Sequence, residues 1–411
     1  MTVTTRNGKR QSLRSTGSQT ELQDLQWTAV TIPLKGKPER WAFGVCEPNL
    51  TAVIVELRTR NGMSGWGEAI CVHPSVEITC AILNSCKSYL IGQDAFDVER
   101  IMKSFYVGGA WHWHRHAANW ALAAIEMALW DIIGQACGQP VYRLLGGAFR
   151  RAIPFVAFLF RDDPEAMAEE AKRFAAEGFE TFFLKVGIDP SDDVQAVSAV
   201  REAIGPGRKL RIDANEAWSH ASAVRMIEKL KSFDPEFVEQ PLLASDLEGM
   251  ALLRKRVGVP IGADQSAWTL FEVLSVIQQQ AADVLVLDPG RTEGLLGFKK
   301  AAAIAEAAGL PVCTHAGNTF GIGVAAILHL SASTPNVLYA NQTYYYRLEG
   351  DILKRPFQFT NGSLDVLDSP GLGVEPDRDK LRYYAEYHKK HEVSFASKPH
   401  NDVTGLMIPG Y

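Results

Sequence analysis

The chain has few cysteines, and they show no pattern of pairing. Its six cysteines are scattered among 411 residues and include no close pair typical of a metal site. The polar residues 1–23 lack the apolar core of a secretory signal. We therefore expect reduced thiols in a cytoplasmic protein, with residues 1–23 forming a flexible tail.

Long apolar runs and clusters of basic residues are also missing. No stretch approaches the roughly 20 uninterrupted apolar residues that a membrane span requires. The net charge is -5 without a long Lys/Arg cluster, which argues against nucleic acid and against an anionic membrane as the main partner. The composition, 46% hydrophobic and 22% charged, is that of an ordinary globular protein. It favours a small molecule as the partner.

The length and the hydrophobic pattern predict two structural units. A chain of 411 residues is too long for one typical core, and suggests either two domains or one large barrel with an attached layer. Residues 24–150 begin with alternating strand patterns and continue with helical ones, so we predict an α+β domain there. Residues 151–370 alternate short apolar runs with amphipathic helices, which is typical of a parallel barrel. The segment 371–411 is predicted to pack back on the N-terminal layer.

Seven strands of this barrel are visible as apolar runs. An eighth is expected near Leu338 or Arg347. The seven are Phe155–Leu159, Thr181–Val186, Leu210–Asp213, Phe237–Glu239, Pro260–Asp264, Val284–Leu287 and Pro311–Thr314.

Three acidic residues end successive runs at nearly constant spacing. Asp213, Glu239 and Asp264 are 26 and 25 residues apart, about the interval of one strand-plus-helix unit, and barrels of this type build active sites at the C-terminal ends of strands. Any one of them alone would more often be a helix N-cap or a solvated loop residue. Together, at barrel spacing, they predict three oxygen ligands for one hard cation such as Mg²⁺.

Three further residues fall at the same strand ends. Lys185 precedes Asp213 by 28 residues, Asp288 follows Asp264 by 24, and His315 follows Asp288 by another 27. Such groups suit the removal of a proton from a carbon next to a carboxylate, since a divalent cation stabilises the resulting enediolate. Lys185 is predicted to act as a base with a lowered pKa, and His315, oriented by Asp288, as acid or base from the opposite side.

Several segments of the chain carry a more specific resemblance. From about residue 25 the sequence resembles the enolase superfamily, in its mandelate racemase and muconate lactonizing enzyme branch. The matching segments are Ser64–Glu68, Ala128–Gly134, Leu144–Gly147, Lys185–Gly187, Ile212–Asn215, Val238–Pro241, Asp264–Ser266 and Ser369–Gly373.

The resemblance implies an α/β fold of the modified TIM-barrel type, (β/α)7β, with Mg²⁺ in its mouth. Both chain ends would form an α+β capping domain. The pairing of Asp288 with His315 resembles the mandelate racemase type, whereas lactonizing relatives carry a lysine where Asp288 stands. This implies dehydration of an acid sugar, with a racemase, epimerase or lactonizing cycloisomerase as the alternative. A barrel that binds without turnover is disfavoured, because Lys185 and His315 are both present.

The chain departs from the family pattern in ways that affect individual residues. Phe183 stands where many relatives have a second lysine. The racemase-like pattern would place the third metal ligand at Gln265, so the assignment of Asp264 as that ligand depends on the lactonizing-type spacing. The carboxylate contact has two candidates, Glu349, which we prefer, and Asn341.

Two asparagines and a histidine-rich run complete the expectations. Asn215 and Asn318 are expected to contact a small-molecule carboxylate substrate at the mouth. The histidine-rich run 111–116 is predicted to lie at a domain or subunit contact rather than to bind metal. The resemblance also implies a homo-oligomer.

Overall fold

The computed structural model describes most of the chain. Residues 1–17 of the predicted tail, residues 111–114 of the histidine-rich run, and Asn318 lie outside it. The described residues are 18–46, 48–71, 76–108, 115–315 and 319–391.

The N-terminal layer is an antiparallel sheet covered by helices. The sheet has the strand order β1-β4-β5, and β2 and β3 form a separate short hairpin. The strands are β1 (Leu22–Pro33), β2 (Arg40–Trp41), β3 (Gly44–Val45), β4 (Asn49–Thr59) and β5 (Ser64–Ile70), and the helices are α1 (Val76–Leu90), α2 (Val98–Gly108), α3 (Arg115–Cys137) and α4 (Val141–Leu144).

Two glycines let helix α3 lie directly on strand β5. A Cβ at Gly65 would stand 2.2 Å from the carbonyl oxygen of Ala128, and one at Gly67 would stand 1.8 Å from that of Ala124. No side chain fits at either distance, so the Gly-Trp-Gly motif sets this close packing. Among the described residues, stretch 117–137 of α3 is the one helix long and apolar enough to cross a membrane, and 78% of it is buried within the protein.

The second unit is a parallel sheet of seven strands in the order β13-β12-β11-β10-β9-β8-β7, each followed by a helix. A short pair, β6 (Ala152–Pro154) and β14 (Ser363–Asp365), lies beside it. The barrel elements are β7 (Ala157–Leu159), α5 (Pro164–Ala176), β8 (Thr181–Lys185), α6 (Pro190–Ile204), β9 (Lys209–Asp213), α7 (His220–Leu230), β10 (Pro235–Glu239), α8 (Leu247–Arg256), β11 (Ile261–Ala263), α9 (Leu270–Gln278), β12 (Val284–Leu287), α10 (Leu295–Ala307), β13 (Val312–Thr314) and α11 (Gly321–Ser333).

Segment 337–342 occupies the eighth strand position and closes the barrel. On one side, the backbone N–H of Leu338 donates to the carbonyl of Val312 at 3.0 Å. On the other, the N–H of Val156 donates to the carbonyl of Asn341 at 2.9 Å. The predicted (β/α)7β barrel is therefore confirmed, with its last position near Leu338. The alternative, Arg347, lies in a short 3₁₀ helix beyond it.

The C-terminal helix α12 (Arg378–His391) returns to the N-terminal layer and packs on β1. The Arg378 guanidinium donates to both carboxylate oxygens of Glu56, at 2.7 and 2.5 Å. This pair of parallel hydrogen bonds is the strong, orienting kind. The capping layer is thus built from both ends of the described chain, as the fold prediction required.

Buried carboxylates of the capping layer reach into the barrel. Glu68 on β5 accepts hydrogen bonds from the backbone N–H groups of Phe320, at 2.6 Å, and Gly323, at 2.9 Å, at the beginning of α11. Glu126 on α3 accepts from the N–H groups of Leu295, at 2.7 Å, and Leu296, at 3.0 Å, at the beginning of α10. Each carboxylate satisfies N–H groups that a helix leaves unpaired in its first turn, where negative charge is favoured.

Replacing Glu126 by alanine is expected to lower the free energy of unfolding by about 3 kcal/mol, because it leaves the buried N–H of Leu295 and the partly buried N–H of Leu296 without an acceptor. Chemical denaturation would measure the loss. Glu99→Ala is the matched control, since Glu99 is 67% exposed in its ion pair with Lys300 and such surface pairs contribute little. Equal stability of the two variants would contradict the role given to Glu126.

Candidate active site

The barrel places six charged or titratable residues at the C-terminal ends of its strands. Lys185, Asp213 and Glu239 are the last residues of β8, β9 and β10. Lys185 is in register with Asp213, and Asp213 with Glu239. The chain positions next after β11, β12 and β13 hold the other three, which are Asp264, Asp288 and His315.

Asp213, Glu239 and Asp264 form what we call the carboxylate cluster. Their exposures are 1%, 0% and 0%, and each accepts a hydrogen bond from one donor side chain. The Lys185 ammonium donates to Asp213 Oδ2 at 2.7 Å. Gln342 Nε2 donates to both oxygens of Glu239, at 3.1 and 2.9 Å. Three carboxylates brought out of water together are costly unless cations accompany them.

Burial and mutual repulsion change the acidity of this cluster. Burial raises the pKa of Glu239 well above its usual value, and the charges of Asp213 and Asp264 add to the rise. Burial also raises the pKa of Asp213, although the neighbouring Lys185 opposes this. Protons therefore bind Asp213 and Glu239 more readily than they bind solvated carboxylates.

The ammonium of Lys185 does not have the lowered pKa that the sequence suggested. Burial would lower its pKa, but the charges of Asp213, Glu39 and Glu239 outweigh burial and raise the pKa above the ordinary lysine value. The expectation of a lowered pKa assumed a bound metal and other cationic groups nearby, whereas the charged side chains that raise the pKa of Lys185 here are carboxylates. A divalent cation held by those carboxylates would offset their charge.

His315 and Asp288 form a hydrogen-bonded pair on the other side of the cluster. His315 Nδ1 and Asp288 Oδ2 are 2.7 Å apart, and the other oxygen of Asp288 accepts from the N–H of Gly290 at 2.7 Å. Asp288 is 2% exposed, whereas the His315 side chain is 18% exposed. The imidazole is thus held by a buried carboxylate while it stays accessible from the mouth, as an acid or base must be.

Of the residues predicted to contact the substrate, some lie at the mouth of the barrel and others do not. Asn215, 5% exposed, lies at the mouth, where its N–H donates to Asp213 Oδ1 at 2.8 Å and its own side-chain oxygen is buried without a partner. Glu349 is exposed, and its N–H bonds the carbonyl of Pro33 in the capping sheet. The side chain of Asn341 is engaged by Thr314. Asn318 lies outside the described residues.

Three residues of the site were not assigned from the sequence. Arg291 donates to Asp264 Oδ1 at 2.5 Å, Gln342 contacts Glu239, and Glu39 from the capping layer lies near Lys185 and accepts from the Tyr344 hydroxyl at 2.7 Å. Burial raises the pKa of Glu39. Arg291 follows Asp288 by three residues, and Gln342 adjoins Asn341. The sequence could therefore have indicated Arg291 and Gln342 only by their closeness to residues predicted at strand ends.

The donor set suits a hard cation. All three members of the cluster offer oxygen, the ligand that Mg²⁺ prefers. Asp264 Oδ2 is buried and has no hydrogen-bond partner among the residues that the structure describes. Within the described ranges no three His, Cys, Asp or Glu side chains already stand close enough together to ligate one ion. Lys185 holds one oxygen of Asp213 and Arg291 holds one oxygen of Asp264, so each of these carboxylates keeps a second oxygen for an ion. The residues therefore fit such an ion.

A barrel with acid–base groups on both sides of a carboxylate cluster defines a class of enzyme, and comparison with known proteins gives its family. Residues 25–146 match the mandelate racemase / muconate lactonizing enzyme N-terminal domain. Residues 166–380 match the enolase C-terminal domain-like family. The chain belongs to the enolase superfamily, in its mandelate racemase and muconate lactonizing enzyme branch, and is a lyase or isomerase of that superfamily. The predicted resemblance is confirmed.

The relatives catalyse different reactions. The chain is 29% identical over 343 residues to D-galactarolactone cycloisomerase of Agrobacterium fabrum, covering 80% of this chain and 90% of that protein. It is 30% identical over 360 residues to cis-3-hydroxy-L-proline dehydratase of Roseibium aggregatum, covering 86% and 95%. Others are epimerases. An enolase from Pseudomonas fluorescens, solved with magnesium, potassium and tartrate, has a TM-score of 0.83 at 27% identity, covering 91% of this chain and 94% of that one.

Proposed function

We propose that this enzyme removes the α-proton of a hydroxy-carboxylate with the help of Mg²⁺, giving an enediolate, and completes the reaction by eliminating water from an acid sugar. One observation carries the proposal. The hydrogen-bonded pair of His315 and Asp288 and the ammonium of Lys185 flank the carboxylate cluster in the sheet order. Proton transfer on two sides of one carbon is the chemistry that this arrangement suits.

The roles of the residues follow from their positions. Asp213, Glu239 and Asp264 would hold the Mg²⁺, which when bound supplies electrostatic stabilisation of the negative charge on the substrate carboxylate. Lys185 and His315 would move protons at the α-carbon and at the leaving hydroxyl, while Asp288 keeps the imidazole oriented. The capping layer covers this end of the barrel with Glu39 and its hairpin, so it would exclude water from the mouth.

Racemization, epimerization and lactonization remain the alternative, because they begin with the same proton removal. Named relatives include dehydratases, epimerases and cycloisomerases. The structure of a relative with tartrate supports a small hydroxy-carboxylate as the substrate class. We propose that Asn215 contacts it, and the same role is proposed for Asn318 and Glu349. We also propose that the protein is cytoplasmic and forms a homo-oligomer. Light scattering would test the oligomeric state.

A screen of acid sugars, 2-hydroxy acids and amino-acid derivatives with Mg²⁺ in deuterated water tests the proposal. Keto-acid formation and α-deuterium incorporation are read together, with a His315→Ala variant beside the parent. Keto-acid made by the parent supports dehydration. Deuterium incorporation without keto-acid establishes the racemase or epimerase alternative. If the parent gives neither product from any carboxylate, the proposed function is refuted.

A further inference from the structure

Gln240 has a backbone conformation that glutamine rarely adopts. It follows Glu239 directly at the end of β10, is fully buried, and has a φ of +32°. Glycine is favoured in this left-handed region, because a Cβ atom makes the conformation costly for other residues. Such strain persists only where the surrounding structure compensates for it, and it is concentrated at functional sites. The contacts of the Gln240 side chain, which a glycine would lack, explain the choice of residue.

The side-chain amide of Gln240 binds the segment that carries the third carboxylate. Its Oε1 accepts from the backbone N–H of Asp264 at 3.0 Å, and from the N–H and the hydroxyl of Ser266 at 3.2 and 2.9 Å. Its Nε2 donates to the carbonyl of Leu242 at 2.9 Å. Rotating the amide by half a turn would place its NH2 group against two N–H groups, so only this orientation satisfies the contacts.

The backbone of Gln240 connects the neighbouring strand ends. Its N–H donates to the carbonyl of Gly262 in β11 at 2.9 Å, and its carbonyl accepts from the N–H of Glu216, in the loop after β9, at 2.7 Å. Glu216 Oε1 in turn accepts from the N–H of Ala244, in the loop after β10, at 2.5 Å. The ends of β9, β10 and β11, which carry the carboxylate cluster, are therefore joined through one residue.

The amide takes the place of a backbone carbonyl where the ladder between β10 and β11 ends. After the bond from the Gln240 N–H to Gly262, a regular parallel ladder would continue with the Asp264 N–H donating to the Gln240 carbonyl. The left-handed backbone directs that carbonyl to Glu216 instead, and Oε1 accepts the Asp264 N–H. Asp264 therefore continues the alternation of β11 beyond the last strand residue.

The register of the strands decides which residue faces the cluster. Gly262 pairs with Glu239, and alternate residues of a strand share one face. Asp264 is two residues beyond Gly262, so it shares the face of Glu239. Gln265, where the racemase-like pattern has its ligand, continues the opposite face.

We propose that Gln240 is a positioning residue that holds Asp264, in place of Gln265, beside Glu239 as a ligand of the cation. The inference rests on the metal site of the proposed function and explains why a strained glutamine stands at this strand end. Loss of the amide would free the segment after β11 to turn, and would misplace the Asp264 carboxylate without changing its charge.

Binding of Mn²⁺, followed by electron paramagnetic resonance of the free ion, tests the proposal without a substrate. Mn²⁺ prefers the same oxygen ligands as Mg²⁺. Gln240→Met keeps the length of the side chain but removes its four hydrogen bonds, and should weaken binding by about 10- to 100-fold, the usual effect of losing an orienting partner. In an Asp264→Asn background the same substitution should change the affinity less than about threefold, because the carboxylate that it positions is gone. Equal losses in both backgrounds would overturn the proposal.

Two further variants separate positioning from damage to the fold. Gln240→Glu keeps an acceptor oxygen for the Asp264 N–H, so it should bind Mn²⁺ within about threefold of the parent or more tightly; a loss as large as that of Gln240→Met would overturn the proposal. Gln280→Met is the matched control. Gln280 also has a positive φ, of 54°, but it is exposed and precedes β12 at the end of the barrel opposite the site, so this substitution should leave the affinity within about twofold of the parent.

A direct comparison of Asp264 and Gln265 keeps the proposal testable if circular dichroism shows that Gln240→Met does not fold. Asp264→Asn should weaken Mn²⁺ binding by more than about tenfold, and Gln265→Ala by less than about threefold. The reverse order would overturn the proposal. A parent that binds neither Mn²⁺ nor Mg²⁺ refutes the metal site of the proposed function, and the inference with it, whereas a parent that binds the ion without coupling between Gln240 and Asp264 refutes the inference alone.

Discussion

Lys185→Ala is expected to lower kcat/KM for α-proton removal by about 10³-fold, the range in which a positioned acid–base group acts. The ammonium is the one donor given to Asp213 by another side chain within the described residues, and it lies 5.5 and 5.3 Å from the ring centres of Phe158 and Phe183. Among the described residues, no other lysine side chain is in a position to take over this role in the variant. Deuterium incorporation into substrate, with Mg²⁺ in excess, measures the loss.

The matched control for this variant is Lys209→Ala. Lys209 is exposed and begins the next strand, β9, at the end of the barrel opposite the site. Removing it should change kcat/KM less than about twofold, since surface substitutions away from a site are near neutral. Comparable losses in both variants would mean that the effect of Lys185 is structural, and near-parent activity in Lys185→Ala would remove it from the mechanism.

Glu239→Gln is expected to weaken Mg²⁺ binding by more than about 100-fold, because even the loss of an outer-shell partner costs 10- to 100-fold. Glu239 lies between the other two carboxylates in the strand order and is fully buried. Glutamine keeps its shape and an acceptor for Gln342, but it removes the charge. Isothermal titration with Mg²⁺ alone measures the affinity directly.

The same variant should make the metal-free protein more stable than the metal-free parent. Removing one of three buried charges relieves repulsion that Lys185 and Arg291 offset only in part. Thermal unfolding with and without Mg²⁺ tests this, with Glu236→Gln as control. Glu236 is the second residue of the same strand and pairs with Arg211 at 2.8 Å, away from the mouth. Parent-like Mg²⁺ affinity in Glu239→Gln would contradict its role as a ligand.

The sequence could predict the parts of this molecule that repeat. Apolar runs at regular intervals give the barrel, and a polar residue that ends such a run reaches the mouth because parallel strands all point the same way. Lys185, Asp213 and Glu239 were found in this manner. The site residues stay predictions about function, but their convergence follows from the strand register alone.

Contacts between distant segments could not be predicted in this way. Asn341 was a candidate by its distance along the chain from His315, and Glu349 was preferred because it lies in the segment Leu348–Asp351 ahead of Pro356. In the structure, Glu349 comes out at the capping sheet, where its N–H donates to the carbonyl of Pro33. Arg291 lay three residues from a predicted site residue, but only its rotamer, set by Trp268, directs it to His315. Side-chain direction in loops depends on tertiary packing that no local pattern records.

The carboxylates of the capping layer that receive the first turns of α10 and α11 have a consequence for how substrate enters. Domain hinges need interfaces that can part at little cost. Separating these two units would remove Glu68 and Glu126 from three buried N–H groups and one partly buried N–H group at once. Rigid-body opening of the cap is therefore too costly to occur in each catalytic cycle. We expect substrate to enter by local movement of the short hairpin Arg40–Val45, which follows Glu39, rather than by separation of the two units. A substitution that stiffens this hairpin is then expected to slow product release.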